Sequence, residues 1–327
     1  PYLTATATGP ISPTSGFAPP TPLWPVLLVD SAVDTSDGDT SGVAALQADP
    51  GPDSAISLRE AIQAVNAQAG ASPVIIGFDI PPSDAGYDAT SGAWRIEPSP
   101  DLPCISAGQV WLDGATQARN QGDTNLLGPE IVLSQQASQG FGLHLCSDDN
   151  LVRGLAIGGW QTGLLVNGNG NTVQGNYIGV DARGLTDHGN YRGIVLGCQE
   201  GAPNLIGGRA PGAGNLISGN DGYALYRQCS TSGRQMTVSP EAHSETTSPG
   251  APPDSFFAVV QGNRIGTDRT GTASLGNGFG AIWFATARRM PGALRALFAG
   301  GLYFIFAYLA TNFANIPTAP ATNRTGG

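Results

Sequence analysis

Charge is scarce in this chain. Only 12% of its 327 residues are Asp, Glu, Lys or Arg, and 15 basic residues face 25 acidic ones for a net charge of −10. A fold so poor in positive charge lacks the field that gathers phosphates, which excludes nucleic acid as a partner. Aromatics are also thin at 7%, whereas Gly supplies 47 residues and Pro 25. Such dense punctuation excludes a helical bundle and fits many short strands joined by tight turns. Cysteine is limited to Cys104, Cys146, Cys198 and Cys229, too widely spaced for the paired knuckles of a zinc site, and His144, His188 and His243 do not cluster with them in sequence. Disulfides, and hence an oxidising compartment, are the expectation, with Cys198 and Cys229 falling after comparable strand patterns and Cys104 with Cys146 completing the set. Four cysteines allow three pairings, and no cofactor motif is legible.

Residues 1–25, "PYLTATATGPISPTSGFAPPTPLWP", carry no charge and read as an extended arm, either a linker or a strap whose Tyr2, Phe17 and Trp24 dock onto a partner. Residues 26–100 follow with a strand, an acidic turn, a short helix and a second apolar strand. Ser57 and Glu60 stand three apart as a capping box requires, and Leu58, Ile62 and Val65 share one face of the helix they open. In the acidic turn "DTSDGDTSG", Asp34, Asp37 and Asp39 are candidate calcium ligands, set against the simpler reading of a solvated turn because the bidentate glutamate of an EF-hand loop is missing.

The run "ISLREAI" and the following "IIGFDIP" resemble the N-terminal module of bacterial secreted β-helix proteins marked by Cys-Ser-Leu-Arg-Glu-Ala, with Ile56 in place of the leading cysteine. The resemblance covers about thirty residues. It implies that this segment caps a right-handed parallel β-helix and is itself non-catalytic.

From 101 to 287 the chain repeats itself. "NLVRG", "NTVQG", "NLIGG" and "NLISG" alternate with short strands such as "GLLVNG" and "GIVLG", and Asn150 and Asn171 lie 21 residues apart. "QGNYIGVDARGLTDHGNYRG" from Gln174 and "QGNRIGTDRTGTASLGNGFG" from Gln261 share one Gly/Asn skeleton at an offset of 87 residues, read as about four such rungs. This pattern predicts an all-β solenoid, a parallel β-helix in which Gly and Asn supply the bends and Leu164, Val166, Ile194 and Val195 stack inside. Residues 227–255 break the repeat and read as a loop excursion.

The last segment, 288–327, contains "ALFAGGLYFIFAYLATNFANIP" from Ala296 to Pro317, uncharged and long enough to cross a bilayer as one transmembrane helix. Arg288, Arg289 and Arg295 flank it and suit lipid headgroups, while Phe298, Tyr303, Phe306 and Tyr308 are expected to meet partner proteins. The arginine flank alone places the large domain inside the cell, but the cysteines and the resemblance to exported proteins place it outside, on the periplasmic or extracellular face.

Parallel β-helices include pectin-degrading enzymes, which act through carboxylates placed across a cleft. Asp148-Asp149, Asp187-His188-Gly189 and Arg264-Ile265-Gly266 are similar to fragments of polygalacturonase motifs, but the Asn-Thr-Asp motif is missing, and residues 101–287 contain no lysine to serve a lyase. The expectation is therefore a non-enzymatic, single-pass, membrane-anchored extracytoplasmic subunit that holds other membrane proteins together, in a respiratory or photosynthetic assembly for example. A cell-surface adhesion protein and a polysaccharide hydrolase or lyase are the alternatives.

Overall fold

The computed structural model describes residues 24–68, 73–135, 139–197, 201–227 and 258–284, with the backbone of the short strands Tyr2–Leu3, Thr21–Pro22 and Thr237–Val238. Among the described residues the fold is all-β and predominantly parallel, with three sheets of eight, seven and five strands beside the antiparallel pair Tyr2–Leu3 with Thr21–Pro22. The first sheet stacks Val26–Val29, Val74–Phe78, Val110–Asp113, Leu151–Arg153, Thr172–Gln174, Asn204–Gly207 and Ala258–Gln261, with Thr237–Val238 at its end. The second holds Ala93–Ile96, Ile131–Ser134, Leu155–Gly158, Tyr177–Ile178, Leu216–Ile217 and Arg264–Ile265, plus Tyr87–Asp88 antiparallel at its edge. The third holds Phe141–Leu145, Thr162–Val166, Arg192–Leu196, Tyr223–Arg227 and Gly280–Phe284. From Val110 onward the chain visits first, second and third sheet in that cyclic order, five times over.

Strand register turns this circuit into columns. Leu143, Leu164, Ile194 and Leu225 stand one above the next in the third sheet, and Leu112, Val152, Val173 and Ile206 do so in the first, all fully buried. Leu133, Ile157, Ile178 and Ile217 form the matching column in the second. The three columns belong to one hydrophobic core. Val166 stacks in a parallel column between Leu145 and Leu196. Val195 departs from expectation: it is one residue from Ile194, so a strand's two-residue period puts it in the opposite row, with His144, Leu165 and Tyr226.

The corners use Gly and Asn in different ways. Gly154, Gly175 and Gly262, between the first and second sheets, take φ of 70, 62 and 68°, as bends require of glycine. The asparagines do not. Among the described residues the non-glycine positions with positive φ are Ser54, Gln109 and Asp149. Corner asparagines, buried except for the half-buried Asn277, are instead bonded to one another in three ladders. Before the first sheet, Asn150 N donates to Asn171 Oδ1 at 2.9 Å and Asn171 N to Asn204 Oδ1 at 2.8 Å. Before the second, Asn176 N donates to Asn215 Oδ1 at 3.0 Å and Asn215 N to Asn263 Oδ1 at 2.9 Å. Before the third, Asn190 N donates to Asn220 Oδ1 at 3.3 Å and Asn220 N to Asn277 Oδ1 at 3.1 Å. Each ladder thus satisfies backbone N–H groups at a bend, where the strand pairing cannot.

The ladders also correct the period. Asn176 to Asn215 is 39 residues and Asn215 to Asn263 is 48, so the offset of 87 spans two circuits rather than four. The repeated stretches are two copies of one excursion between the second and third sheets. In each an aspartate closes the turn: Asp181 Oδ1 accepts from Leu185 N and Thr186 N, and Asp268 Oδ1 accepts from Thr272 N and Ala273 N. The intervening circuit passes this corner with no such excursion, and the two copies meet across it where Arg269 N donates to Gly184 O at 2.9 Å.

Among the described residues three short helices, α1 (Val43–Ala48), α2 (Leu58–Ala67) and α3 (Thr116–Gln121), interrupt the strands. α2 has the expected capping box and buries Leu58, Ile62 and Val65. Its polar residues are structural ties. Fully buried Glu60 accepts from Asp37 N, Gly38 N and Ser57 N at 2.8–2.9 Å, and Arg59 pairs with Asp34 at 2.7 Å while donating to Pro100 O.

Candidate functional site

The glycines between the first and second sheets stand over one another, and neighbouring circuits press directly on them. A Cβ on Gly214 would lie 1.9 Å from Gly262 O, and one on Gly114 would lie 2.1 Å from Gly154 O. Close stacking therefore leaves this corner without side chains, and a groove of about 970 Å³ follows it along the stack. One wall is the segment 123–130, fixed by Asn125 Nδ2, which donates to Pro129 O at 2.8 Å and to Ala182 O at 2.9 Å. On its rim Leu126 is 81% exposed. Arg209, Arg264 and Arg269 also line the groove, the last two from the fifth circuit.

Two polar groups of this groove are unsatisfied among the described residues. Glu130, buried to 4% exposure, takes three hydrogen bonds on Oε1 from Thr124 N, Thr124 Oγ1 and Asn125 N, while its Oε2 has no partner. Arg269 Nε is likewise buried without a partner. Between them Tyr177 donates its hydroxyl to Leu127 O at 2.7 Å. Burial pushes that hydroxyl's pKa above 10, against the pull of Arg269 and Arg264. The groove thus offers bare backbone for a floor, guanidinium groups at one end and a carboxylate in one wall. Sequence reasoning missed it. Its signal is the Gly that ends "NLVRG", "NTVQG" and "NLIGG", which lines the groove as well as making a bend.

A second cluster corrects the expectation for His144. Cys104 and Cys146 form a disulfide with Cα atoms 5.8 Å apart, and His144 Nε2 lies 3.3 Å from Cys146 Sγ and 2.8 Å from Asn167 Nδ2. These three side chains form a group with metal-ligand spacing. The disulfide occupies both sulfurs, and burial lowers the pKa of His144 below 6.5.

The fragments read against polygalacturonase motifs do not converge. Asp148, at the corner from third to first sheet, accepts from Asn169 N at 2.7 Å, and Asp149 holds a left-handed turn at φ 60°. His188, between second and third sheets, sets Nε2 2.8 Å from the fully buried Ser134 Oγ, and Arg264 belongs to the second sheet. Burial first, then Arg95, keeps His188 below its ordinary pKa. Burial and the facing Asp221 raise the pKa of Asp187.

The calcium candidates are placed separately. Asp34 is held by Arg59 and also accepts from Ser99 N, and Asp39 accepts from Ser41 N. Asp37 joins through its backbone N–H to Glu60. The carboxylate-rich turn is anchored by protein groups. Trp24, expected to face a partner, packs edge-on against Trp111 of the same chain with ring centres 4.2 Å apart. Tyr2 contributes backbone to the pair Tyr2–Leu3 with Thr21–Pro22. Phe17, Cys198, Cys229, Arg288, Arg289, Arg295, Phe298, Tyr303, Phe306 and Tyr308 lie outside the described residues, as does the span Ala296–Pro317. Among the described residues no helix is long and apolar enough to cross a membrane. On the third sheet's flank, Tyr191, Tyr223 and Phe279 meet in T-shaped contacts, with Phe279 54% exposed and Arg192 set over the Tyr191 and Tyr226 rings.

No family model matches this chain, and no curated protein matches it in sequence.

Proposed function

We propose that the chain is an exported right-handed parallel β-helix that acts by binding, without catalysis, as an adhesion-type surface module. The cyclic visiting of three parallel sheets, the stacked aliphatic columns and the asparagine ladders support the β-helix reading. The resemblance of 56–62 to the N-terminal module of exported β-helix proteins supports its handedness and export, and the Cys104–Cys146 disulfide supports export. The single observation that carries the binding reading is the groove of about 970 Å³ with its unsatisfied Glu130 and Arg269 atoms. A non-catalytic role fits the dispersal of Asp148, Asp187 and Arg264 over separate parts of the stack, since the fragments similar to polygalacturonase motifs would have to meet at one cleft to act together. The test is to incubate the purified chain with a panel of polysaccharides and follow binding and new reducing ends together. Binding without cleavage is expected. Cleavage that disappears in Asp148→Ala and Asp149→Ala variants would refute the reading.

The exposed aromatic patch of Tyr191, Tyr223 and Phe279 favours a second reading, a membrane-anchored scaffold subunit held to its assembly by that face, the arm and the tail. Blue-native electrophoresis of solubilised membranes tests it. A discrete complex with stoichiometric partners supports the scaffold, and a lone monomer rejects it.

A further inference from the structure

Every basic residue of this chain is an arginine, and three of them stand in the groove. Guanidinium groups are weakly hydrated and shaped to grip a carboxylate with two parallel hydrogen bonds, which the ammonium of lysine is not. Arg264 and Arg209 are exposed, and Arg264 is braced by donating to Arg269 O. Arg269 is half-buried beside Tyr177, with Nε unsatisfied. In the facing wall Glu130 Oε2 needs a donor, because an ionised carboxylate only accepts. A ligand that suits both must offer negative charge and hydroxyl donors together.

Shape narrows the class. The floor touches all five circuits, from Gly114 through Gly154, Gly175 and Gly214 to Gly262, so at about 4.8 Å per inter-strand step it is roughly 19 Å long. It suits a linear polymer lying along the stack. The net charge of −10 weighs against any polyanion, so attraction of an acidic ligand has to come locally from the three arginines of the groove. A peptide added as a strand needs a row of free backbone groups, and this floor uses its own between circuits, with Gly114 N donating to Arg153 O and Gly175 N to Ala213 O. We infer that the groove binds a linear acidic saccharide, with its carboxylates on Arg209, Arg264 and Arg269 and its hydroxyls toward Glu130. This rests on the reading of the groove as a binding surface.

Calorimetry on the full chain tests it, with oligomers of galacturonate and of mannuronate, a neutral galactose oligomer of the same length and a poly-glutamate peptide as probes. The expected result is binding of at least one acidic oligomer, weakened by salt, with the neutral oligomer and the peptide silent. Arg264→Gln and Arg269→Gln should each weaken it about tenfold, the scale of one charge-assisted contact, while Arg192→Gln on the third sheet leaves it unchanged. Arg209→Gln, at an exposed position, replaces Arg269→Gln if the latter lowers the melting temperature. If the neutral oligomer binds as well and Leu126→Trp on the rim blocks it, the groove reading stands and the acidic class is overturned. Equal binding of poly-glutamate overturns the saccharide class. Silence of all four probes overturns both.

Discussion

Replacing Asn215 by alanine tests the asparagine ladders where they are most demanding. Its side chain is 1% exposed and sits between two circuits. Oδ1 accepts from Asn176 N at 3.0 Å and Asn176 Nδ2 at 3.1 Å, and Nδ2 donates to Val173 O and Asn263 Oδ1, both at 2.8 Å. The losses are unequal. Asn176 Nδ2 retains Val152 O, and Asn263 Oδ1 still receives Asn215 N, whereas Asn176 N loses its acceptor inside the protein. An orphaned buried N–H costs about 1–3 kcal/mol and each of the three remaining bonds about 1 kcal/mol net, so Asn215→Ala should cost about 4–6 kcal/mol. Equilibrium urea unfolding reads this as a lower midpoint at unchanged slope. Asn277→Ala, at the half-buried end of another ladder, removes two acceptor contacts and the donation to Ile217 O, and should cost about half as much. Asn215→Asp adds a sign test. A buried carboxylate has its pKa raised above the unfolded value, so its stability deficit should be largest above the folded pKa, shrink as pH falls through that value, and lose its pH-dependent part by about pH 4. A cost below about 1 kcal/mol for Asn215→Ala, or an equal cost at Asn277, would refute the claim that the ladders carry the corners.

Further tests address the other ties. Burial pushes the Asp113 carboxyl up, but hydrogen bonds from Arg153 at 2.6 Å and Arg119 at 2.8 Å prevail and hold its pKa below 3.8. Its stabilising contribution should thus be complete above about pH 4 and vanish as pH falls through the folded value, and Asp113→Asn should flatten that acid limb in pH-dependent urea titrations. Cys104 and Cys146 close a span of 42 residues, for which the chain-entropy relation gives about 4 kcal/mol, so Cys104→Ser should lower the midpoint in non-reducing buffer and reduce its sensitivity to reductant. Gly262→Ala should cost at least about 2 kcal/mol, because φ is 68° and the new Cβ would lie 2.0 Å from Gly208 O. Thermal melting reads that loss, and an unchanged melting temperature would show that the corner relaxes freely.

Much of this architecture is legible in the sequence because short strands and their corners obey local rules. The alternation in "GLLVNG" and "GIVLG" correctly assigns Leu164 and Ile194 to one interior column, and Ser57 with Glu60 announces α2 before any tertiary contact is known. The failures occur where distance along the chain misleads. A 21-residue spacing holds for Asn150 to Asn171, yet the next step, to Asn204, is 33 residues, since corner excursions lengthen a circuit without disturbing its strands. The role of asparagine was also misassigned. Tolerance of positive φ is a property of one residue, but a ladder is a relation between residues up to 57 positions apart. His144 was missed as a neighbour of Cys104 for the same reason. The groove escaped notice because it is made by what the corner lacks, and its Arg269 and Glu130 come from different circuits.

The repeated skeleton at 174 and 261 links these points. An excursion of the Asp181 type needs room above it, and a circuit with one at the same corner would contend for the same space. Alternating a long circuit with a short one solves this, and the sequence repeat is therefore two circuits long. The arrangement places Arg269 of the upper excursion on Gly184 of the lower one, where a Cβ on Gly184 would lie 2.9 Å from Arg269 Cβ and 2.8 Å from the Tyr177 ring. Glycine at 184 thus admits the stack that sets Tyr177 and Arg269 side by side at the groove. The excursion copies are not identical where it matters: the second carries Arg264 where the first has Tyr177, and Arg269 where it has Ala182. One repeat unit supplies the aromatic surface and its copy the charge. A duplicated structural element has in this way become asymmetric at the groove while its aspartate turns and asparagine corners remained alike.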